Sequence, residues 1–175
     1  MVDKYLFKFC AIGSGNVGKT SLIRRFATGK FTEGIYHPTL GVDITTSKHL
    51  SVDNKLVDLL LVDTAGQEYF SKLRPEYYRG ASACLIVFAL NERPSFEAIP
   101  DWLAEFRKYI PQSSVPIALV GNKKDLDDQR QVSTEEAYSW AEAKDMTYHE
   151  TSAKLGGLDI KEIFTGLIRR IFQEN

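Results

Sequence analysis

Eight residues near the amino terminus have the types and spacing to hold a polyphosphate: Gly13-Ser14-Gly15-Asn16-Val17-Gly18-Lys19-Thr20. They match G-x-x-x-x-G-K-[ST], a loop whose backbone N–H groups cradle phosphates. A triphosphate packs several negative charges into a small volume, so it needs donors that converge. Glycines at 13, 15 and 18 allow backbone conformations closed to other residues and let N–H groups come close. A helix opening near Gly18 would add its positive end and its unpaired N–H groups. Lys19 would bring a full charge to the outer phosphates, and Thr20 a hydroxyl to Mg²⁺.

Other chemistry-bearing residues follow apolar runs. Val62 leads into Asp63-Thr64-Ala65-Gly66-Gln67-Glu68. An acid opposite a phosphate loop suits Mg²⁺. Gly66 would offer its N–H to the terminal phosphate, and Gln67, with one acceptor and two donors, would orient an attacking water. Val120 leads into Gly121-Asn122-Lys123-Lys124-Asp125. The Asp125 carboxylate suits the N1–H and amino edge of guanine, which adenine lacks. Lys123 would lay its aliphatic stem along the base. Thr151-Ser152-Ala153-Lys154 closes the set, with the Ala153 N–H as a donor to guanine O6. The stretch from Thr28 to Gly41 holds Phe31, Tyr36, Pro38 and Thr39 without apolar periodicity. Thr39 is a candidate second Mg²⁺ ligand there.

The elements that must position these residues can be read from periodicity. Tyr5 to Ile12 is an apolar run rich in strand formers, and Ser21 to Phe26 reads as a helix. Val42–Val52 and Lys55–Val62 read as strands joined at Asp53-Asn54, a hairpin signal. Ala83–Phe88 and Val115–Val120 are continuous apolar runs, as in parallel strands buried on both faces. Thr147–Glu150 is a weaker final strand. Phe96, Ile99, Leu103, Phe106 and Ile110 mark one helix face. Ser133 with Glu136 forms a capping box. Ile160, Ile163, Phe164, Leu167, Ile168, Ile171 and Phe172 make a closing apolar stripe. Strands reached through helices predict a three-layer α/β sandwich with a six-stranded, mostly parallel sheet and one antiparallel edge strand. In such a sheet ligands bind at the carboxyl ends of the strands.

Composition bounds the rest. A chain of 175 residues with 43% hydrophobic content is expected to form one domain, residues 1–175. A net charge of −1 without a dense basic stripe argues against nucleic acid as a partner. Cys10 and Cys84 both lie in apolar runs and read as core residues, which fits a reducing, cytoplasmic compartment. No apolar run approaches the roughly 18 residues of a membrane span. Val2 excludes a myristoyl signal, and Ile171-Phe172-Gln173-Glu174-Asn175 offers no cysteine to prenylate. Membrane association is therefore unsupported unless a lipidated tail follows Asn175. His37, His49 and His149 share no metal-ligand spacing.

Taken together, GSGNVGKT (13–20), PT (38–39), DTAGQE (63–68), NKKD (122–125) and TSAK (151–154) resemble the motifs of a Ras-superfamily small GTPase. Leu40 to Asp43, Tyr77 to Ala81, and Ser95-Phe96 with Trp102-Leu103 look like the Rab branch. The resemblance implies a P-loop NTPase of the small G-domain type that cycles between GTP and GDP with Mg²⁺. Gly15, Asn16, Val17, Gly18, Lys19, Thr20 and Ser21 would hold the phosphates. Thr20, Thr39 and Asp63 would serve the metal, with Asp63 acting through water. Gly66 and Gln67 would act in catalysis beside Lys19 and Thr39. Asn122, Lys123, Asp125, Ser152, Ala153 and Lys154 would hold the base, with Phe31 and Tyr36 near the nucleotide. Segments 31–42 and 64–78 would be two switches. A monomer would bind an exchange factor, an activating protein and effectors through residues 31–46 and 64–78.

The chain departs from the Rab pattern in three ways. Ile44 and Val62 stand where aromatics are usual, which leaves only Tyr77 of that triad. The loop after Phe31 is one residue longer, and the prenylated tail is missing. Arg24, Arg25 and Arg79 read as solvated or packing residues, so no arginine finger is expected in cis and unaided turnover should be slow. Two other classes remain to be weighed: an ATP-dependent kinase or ATPase, against which NKKD and TSAK argue, and a module that holds nucleotide without turnover.

Overall fold

Along the first strand, Phe9 and Ala11 belong to one apolar core while Cys10 and Ile12 belong to another. This is the period-2 alternation of a strand covered on both faces. The computed structural model describes residues 4–33, 39, 41–64, 74–111 and 114–174. Within them the strands are β1 (Lys4–Ile12), β2 (Val42–Val52), β3 (Lys55–Thr64), β4 (Ala83–Ala89), β5 (Ile117–Asn122) and β6 (Thr147–Glu150). The helices are α1 (Lys19–Thr28), α2 (Arg74–Tyr78), α3 (Arg93–Glu97), α4 (Ile99–Tyr109), α5 (Thr134–Glu142) and α6 (Leu158–Glu174), with a 3₁₀ helix over Lys124–Gln129.

The six strands form one sheet in the order β2-β3-β1-β4-β5-β6. Only the β2–β3 pair is antiparallel. The expected hairpin closes at Asp53-Asn54, where both residues have positive φ (48° and 64°). That is the two-residue turn whose twist matches the strands it joins. Every residue of β4 and β5 is buried, as continuous apolar runs require. Leu22 of α1 and Phe164 and Leu167 of α6 cover one face of the sheet. Tyr78 of α2, Phe106 of α4 and Ala141 of α5 cover the other. The result is a three-layer α/β sandwich.

Some boundaries move for physical reasons. The stripe from Phe96 to Ile110 divides into α3 and α4 on either side of Ala98. Pro100 lies in the first turn of α4 and has no N–H to continue a single helix. The β5 strand starts at Ile117 and runs on to Asn122, two residues past the expected end. Half of the predicted capping box forms. Ser133 accepts from the Glu136 N–H at 3.1 Å, but the Glu136 carboxylate pairs with Arg93 at 2.6 and 2.7 Å.

Candidate nucleotide-binding site

The chain leaves β1 on one side to reach β3 and returns to β4 on the other. The crevice above the carboxyl end of β1 is therefore the switch point where an open α/β sheet takes a ligand. Gly13 begins the loop there with φ 137°, and a Cβ on it would stand 2.1 Å from the Val87 carbonyl oxygen. Gly18 caps α1 with φ 97°, and a Cβ there would stand 2.2 Å from Asn122 Nδ2. Neither position admits another residue without moving backbone or the Asn122 amide. Gly15, Asn16 (φ 62°) and Val17 lie between them, and Ser21 sits in the first turn of α1. Lys19 is buried, and its ammonium donates to the carbonyls of Gly13 and Ser14 at 2.8 and 2.7 Å.

Three residues read as metal ligands meet beside this loop. The Thr20 hydroxyl donates to Asp63 Oδ2, and the Thr20 and Thr39 hydroxyls are 2.9 Å apart. Thr39 also lies 3.5 Å from the same carboxylate oxygen. The other carboxylate oxygen, Asp63 Oδ1, is buried with no hydrogen-bond partner among the described residues. Burial raises the Asp63 pKa against the hydrogen bond from Thr20 and the charge of Lys19. A buried, unpartnered carboxylate oxygen beside two hydroxyls is a donor set that a hard cation such as Mg²⁺ suits. Among the described residues no three of His, Cys, Asp and Glu converge on a metal site.

At the ends of β5 and β6 a second constellation forms. Asn122 is buried and bridges three segments. Its Nδ2 donates to the Val17 carbonyl at 2.8 Å, and its Oδ1 accepts from the Ala153 N–H at 3.1 Å. The Ala153 N–H, expected to serve a guanine carbonyl, is thus already held by Asn122. Ser152 donates to Asp125 Oδ1 at 2.5 Å and accepts from the Leu155 N–H at 3.1 Å, which orients the carboxylate. Lys123 has a left-handed backbone (φ 65°), and burial lowers its pKa against the charges of Glu92 and Asp125. The Lys124 N–H donates to the Thr151 carbonyl at 3.0 Å, and the Thr151 N–H to the Gly121 carbonyl at 2.9 Å. The two loops therefore form one hydrogen-bonded unit. Lys154 pairs with Glu33. Phe31 packs, half-buried, against the core on the α1 face.

Tyr36, Gly66 and Gln67 lie outside the described residues. Two features escaped sequence reasoning. Arg25, read as solvated or packing, donates to the carbonyls of Gly29, Ala153 and Lys154 at 2.7, 3.0 and 2.5 Å. Arg130 makes a two-pronged ion pair with Glu150 at 2.9 Å, which ties the 3₁₀ helix that carries Asp125 to the strand before Thr151. No local signal marks the Arg25 bonds to Ala153 and Lys154 or the Arg130 pair with Glu150, because those partners lie at a distance in sequence.

The model of the Ras family matches residues 8–173. The chain belongs to the Ras family. It is 41% identical to Ras-related protein Rab-9A of Rattus norvegicus over 170 residues, 95% of this chain and 83% of that protein. It is 44% identical to Ras-related protein Rab-9B of Homo sapiens over 153 residues, 85% of this chain and 75% of that protein. Against Ras-related protein Rab-30 of Homo sapiens the identity is 39% over 170 residues, 97% of this chain and 82% of that protein. This Ras-family chain is Rab-like and is a GTP hydrolase. Its sheet, with one antiparallel pair and helices on both faces, is that of the family's G domain. Among the described residues of this Ras-family protein, no helix is long and apolar enough to cross a membrane.

Proposed function

We propose that residues 1–175 form a single G domain that works as a molecular switch, binding GTP or GDP with Mg²⁺ and hydrolysing GTP to GDP and phosphate. The reading is carried by the Asn122 bridge, which joins the phosphate loop at Val17 to the base loop at Ala153. One ligand spanning both loops would need a guanine edge at Asp125 and a phosphate at Lys19.

The roles follow from donor chemistry. Gly15, Asn16, Val17, Gly18, Lys19 and Ser21 offer N–H groups and charge to the phosphates. Thr20, Thr39 and Asp63 would hold Mg²⁺, which neutralises phosphate charge when bound. Asp125 accepts from the guanine N1–H and amino group. Lys123 lies along the ring, and Ser152, Ala153 and Lys154 shape the pocket with Asn122. Phe31 and Tyr36 border the nucleotide. Gln67 orients a water whose oxygen bonds to the γ-phosphorus as the bond to the β–γ bridging oxygen breaks. Gly66 donates to the γ-phosphate.

Arg25 is committed to three carbonyls, and Arg24 lies 3.3 Å from the Thr32 hydroxyl. Neither is free to act as an arginine finger, so turnover without a partner is slow. A partner's arginine is worth about 10³–10⁵ in rate, a range established on Ras itself. Residues 31–46 and 64–78 are the surfaces for an exchange factor, an activating protein and effectors of a monomeric switch without nucleic-acid partners. Its setting is vesicle-trafficking-type or related regulation in the cytoplasm, with membrane attachment if a lipidated tail follows Asn175.

Titration with fluorescent GDP and ADP in Mg²⁺ tests the reading. Strong preference for GDP is expected, and preference for ADP would end it. Phosphate release from preloaded GTP, slowed in Gln67→Leu with GDP binding retained, separates a hydrolase from a module that merely holds nucleotide.

A further inference from the structure

The Arg25 guanidinium holds three carbonyls from two distant parts of the chain. Nη1 donates to Gly29 at the end of α1, at 2.7 Å. Nε and Nη2 donate to Ala153 and Lys154, 128 and 129 residues away, at 3.0 and 2.5 Å. A cation near a helix C-terminus ordinarily serves its own last-turn carbonyls. Only the Gly29 bond has that character. The other two go to successive peptides of the base loop, and a planar guanidinium offers the fork to reach both.

The base loop is shaped to receive this side chain. The Gly156 N–H donates back to the Ser152 carbonyl at 2.8 Å and closes a turn. Gly156 has φ +71°, and a Cβ on it would stand 2.8 Å from Arg25 Nε and 3.0 Å from Cζ. The guanidinium lies where any larger residue at 156 would put its first carbon. The loop thus has two sides. Its carbonyls at 153 and 154 point to Arg25, while Ser152 holds Asp125 and the Ala153 N–H is held by Asn122.

We propose that Arg25 is a positioning residue for guanine recognition: it pins the outer side of the 152–156 loop so that Ser152 keeps Asp125 aimed at the base and the Ala153 N–H keeps Asn122 in its bridge to Val17. The proposal rests on the guanine-nucleotide reading above. Arg25 acts through the loop and touches no reacting atom. Its loss should release nucleotide faster and leave the phosphate loop around Lys19 and the metal candidates Thr20, Thr39 and Asp63 much less affected.

The test uses the full chain loaded with fluorescent GDP in Mg²⁺ and chased with excess GDP, for wild type, Arg25→Met and Arg25→Lys. Met keeps the aliphatic stem and removes the donors. Losing charged hydrogen bonds to the loop should speed release roughly tenfold in Arg25→Met. Arg25→Lys should fall between, because one ammonium cannot reproduce the fork. Single-turnover cleavage of preloaded GTP should change far less than release, and association should change little. The proposal is overturned if Arg25→Met releases GDP within twofold of wild type. It is also overturned if Lys restores release fully, or if release, cleavage and melting temperature all shift together. Wild type that fails to retain GDP would instead reject the guanine reading.

Discussion

Asn122 Nδ2 donates to the carbonyl of Val17, 105 residues earlier in the chain, at 2.8 Å. The same side chain accepts from the Ala153 N–H, so a single amide holds the phosphate loop to the base loop. Truncation would leave two buried backbone groups without partners, at about 1–3 kcal/mol each. Asn122→Ala should therefore weaken GDP roughly 100-fold or more. Displacement of fluorescent GDP measures it. Unchanged affinity would mean that the two loops hold their places without the bridge.

Asp125 is aimed by the Ser152 hydroxyl, so its acceptor oxygens have a fixed direction. Asp125→Asn replaces an acceptor with a donor at the base edge. The variant should lose guanine preference and gain affinity for xanthine diphosphate, whose C2 carries an acceptor. Competition between the two diphosphates decides it, and a variant still selective for guanine would refute the pairing.

Thr20 is hydrogen-bonded to Asp63 and stands 2.9 Å from Thr39. Thr20→Asn removes the hydroxyl and adds bulk between them. GTP binding should fall more than GDP binding, and the Mg²⁺ concentration needed to slow nucleotide release should rise. Equal losses for both nucleotides would remove Thr20 from the set of metal ligands.

The Glu150 carboxyl is half-buried, which opposes ionisation, yet hydrogen bonds from Arg130, Tyr148 and Thr134 prevail and hold its pKa at about 2 against an ordinary 4.5. The folded-state value is the lower one, so the unfolded chain takes up the proton first. The carboxylate's stabilisation is complete above about pH 4.5 and drains away as the pH falls toward 2. Glu150→Gln should cost about 2 kcal/mol at neutral pH. It should also flatten the loss of stability between about pH 5 and pH 3. Urea unfolding across that range measures both, and a mutant with the wild-type acid slope would shift the effect to other carboxyls.

Cys10 and Cys84 are register partners on β1 and β4, and both are fully buried. Burial pushes the Cys10 thiol up to about 12 and raises that of Cys84 as well. Neither should react with a water-soluble disulfide reagent near pH 8 until the chain is denatured, when both should. Rapid labelling of the native protein would show that the sheet interior opens.

By itself the sequence determined the six strands, the long helices and the order of the loops at the strand ends, because these are written in short-range spacing; the short α2, the 3₁₀ helix and the break at Ala98 were not legible in it. The continuous apolar runs from Ala83 and Val115, the Asp53-Asn54 turn and the Ile160–Phe172 stripe each depend only on near neighbours. The spacing of Gly13, Gly18, Lys19 and Thr20 is local in the same way. Tertiary structure alone decided which side chains join those loops. Asn122 reaches Val17, Arg25 reaches Ala153 and Lys154, and Arg130 meets Glu150 only because the sheet order brings the ends of β1, β5 and β6 together. The Ala153 N–H looked like a free donor in the sequence and is engaged in the fold for the same reason. A hydrogen-bond partner 20 to 129 residues away leaves no mark in local periodicity, because it is chosen by packing of the whole sheet.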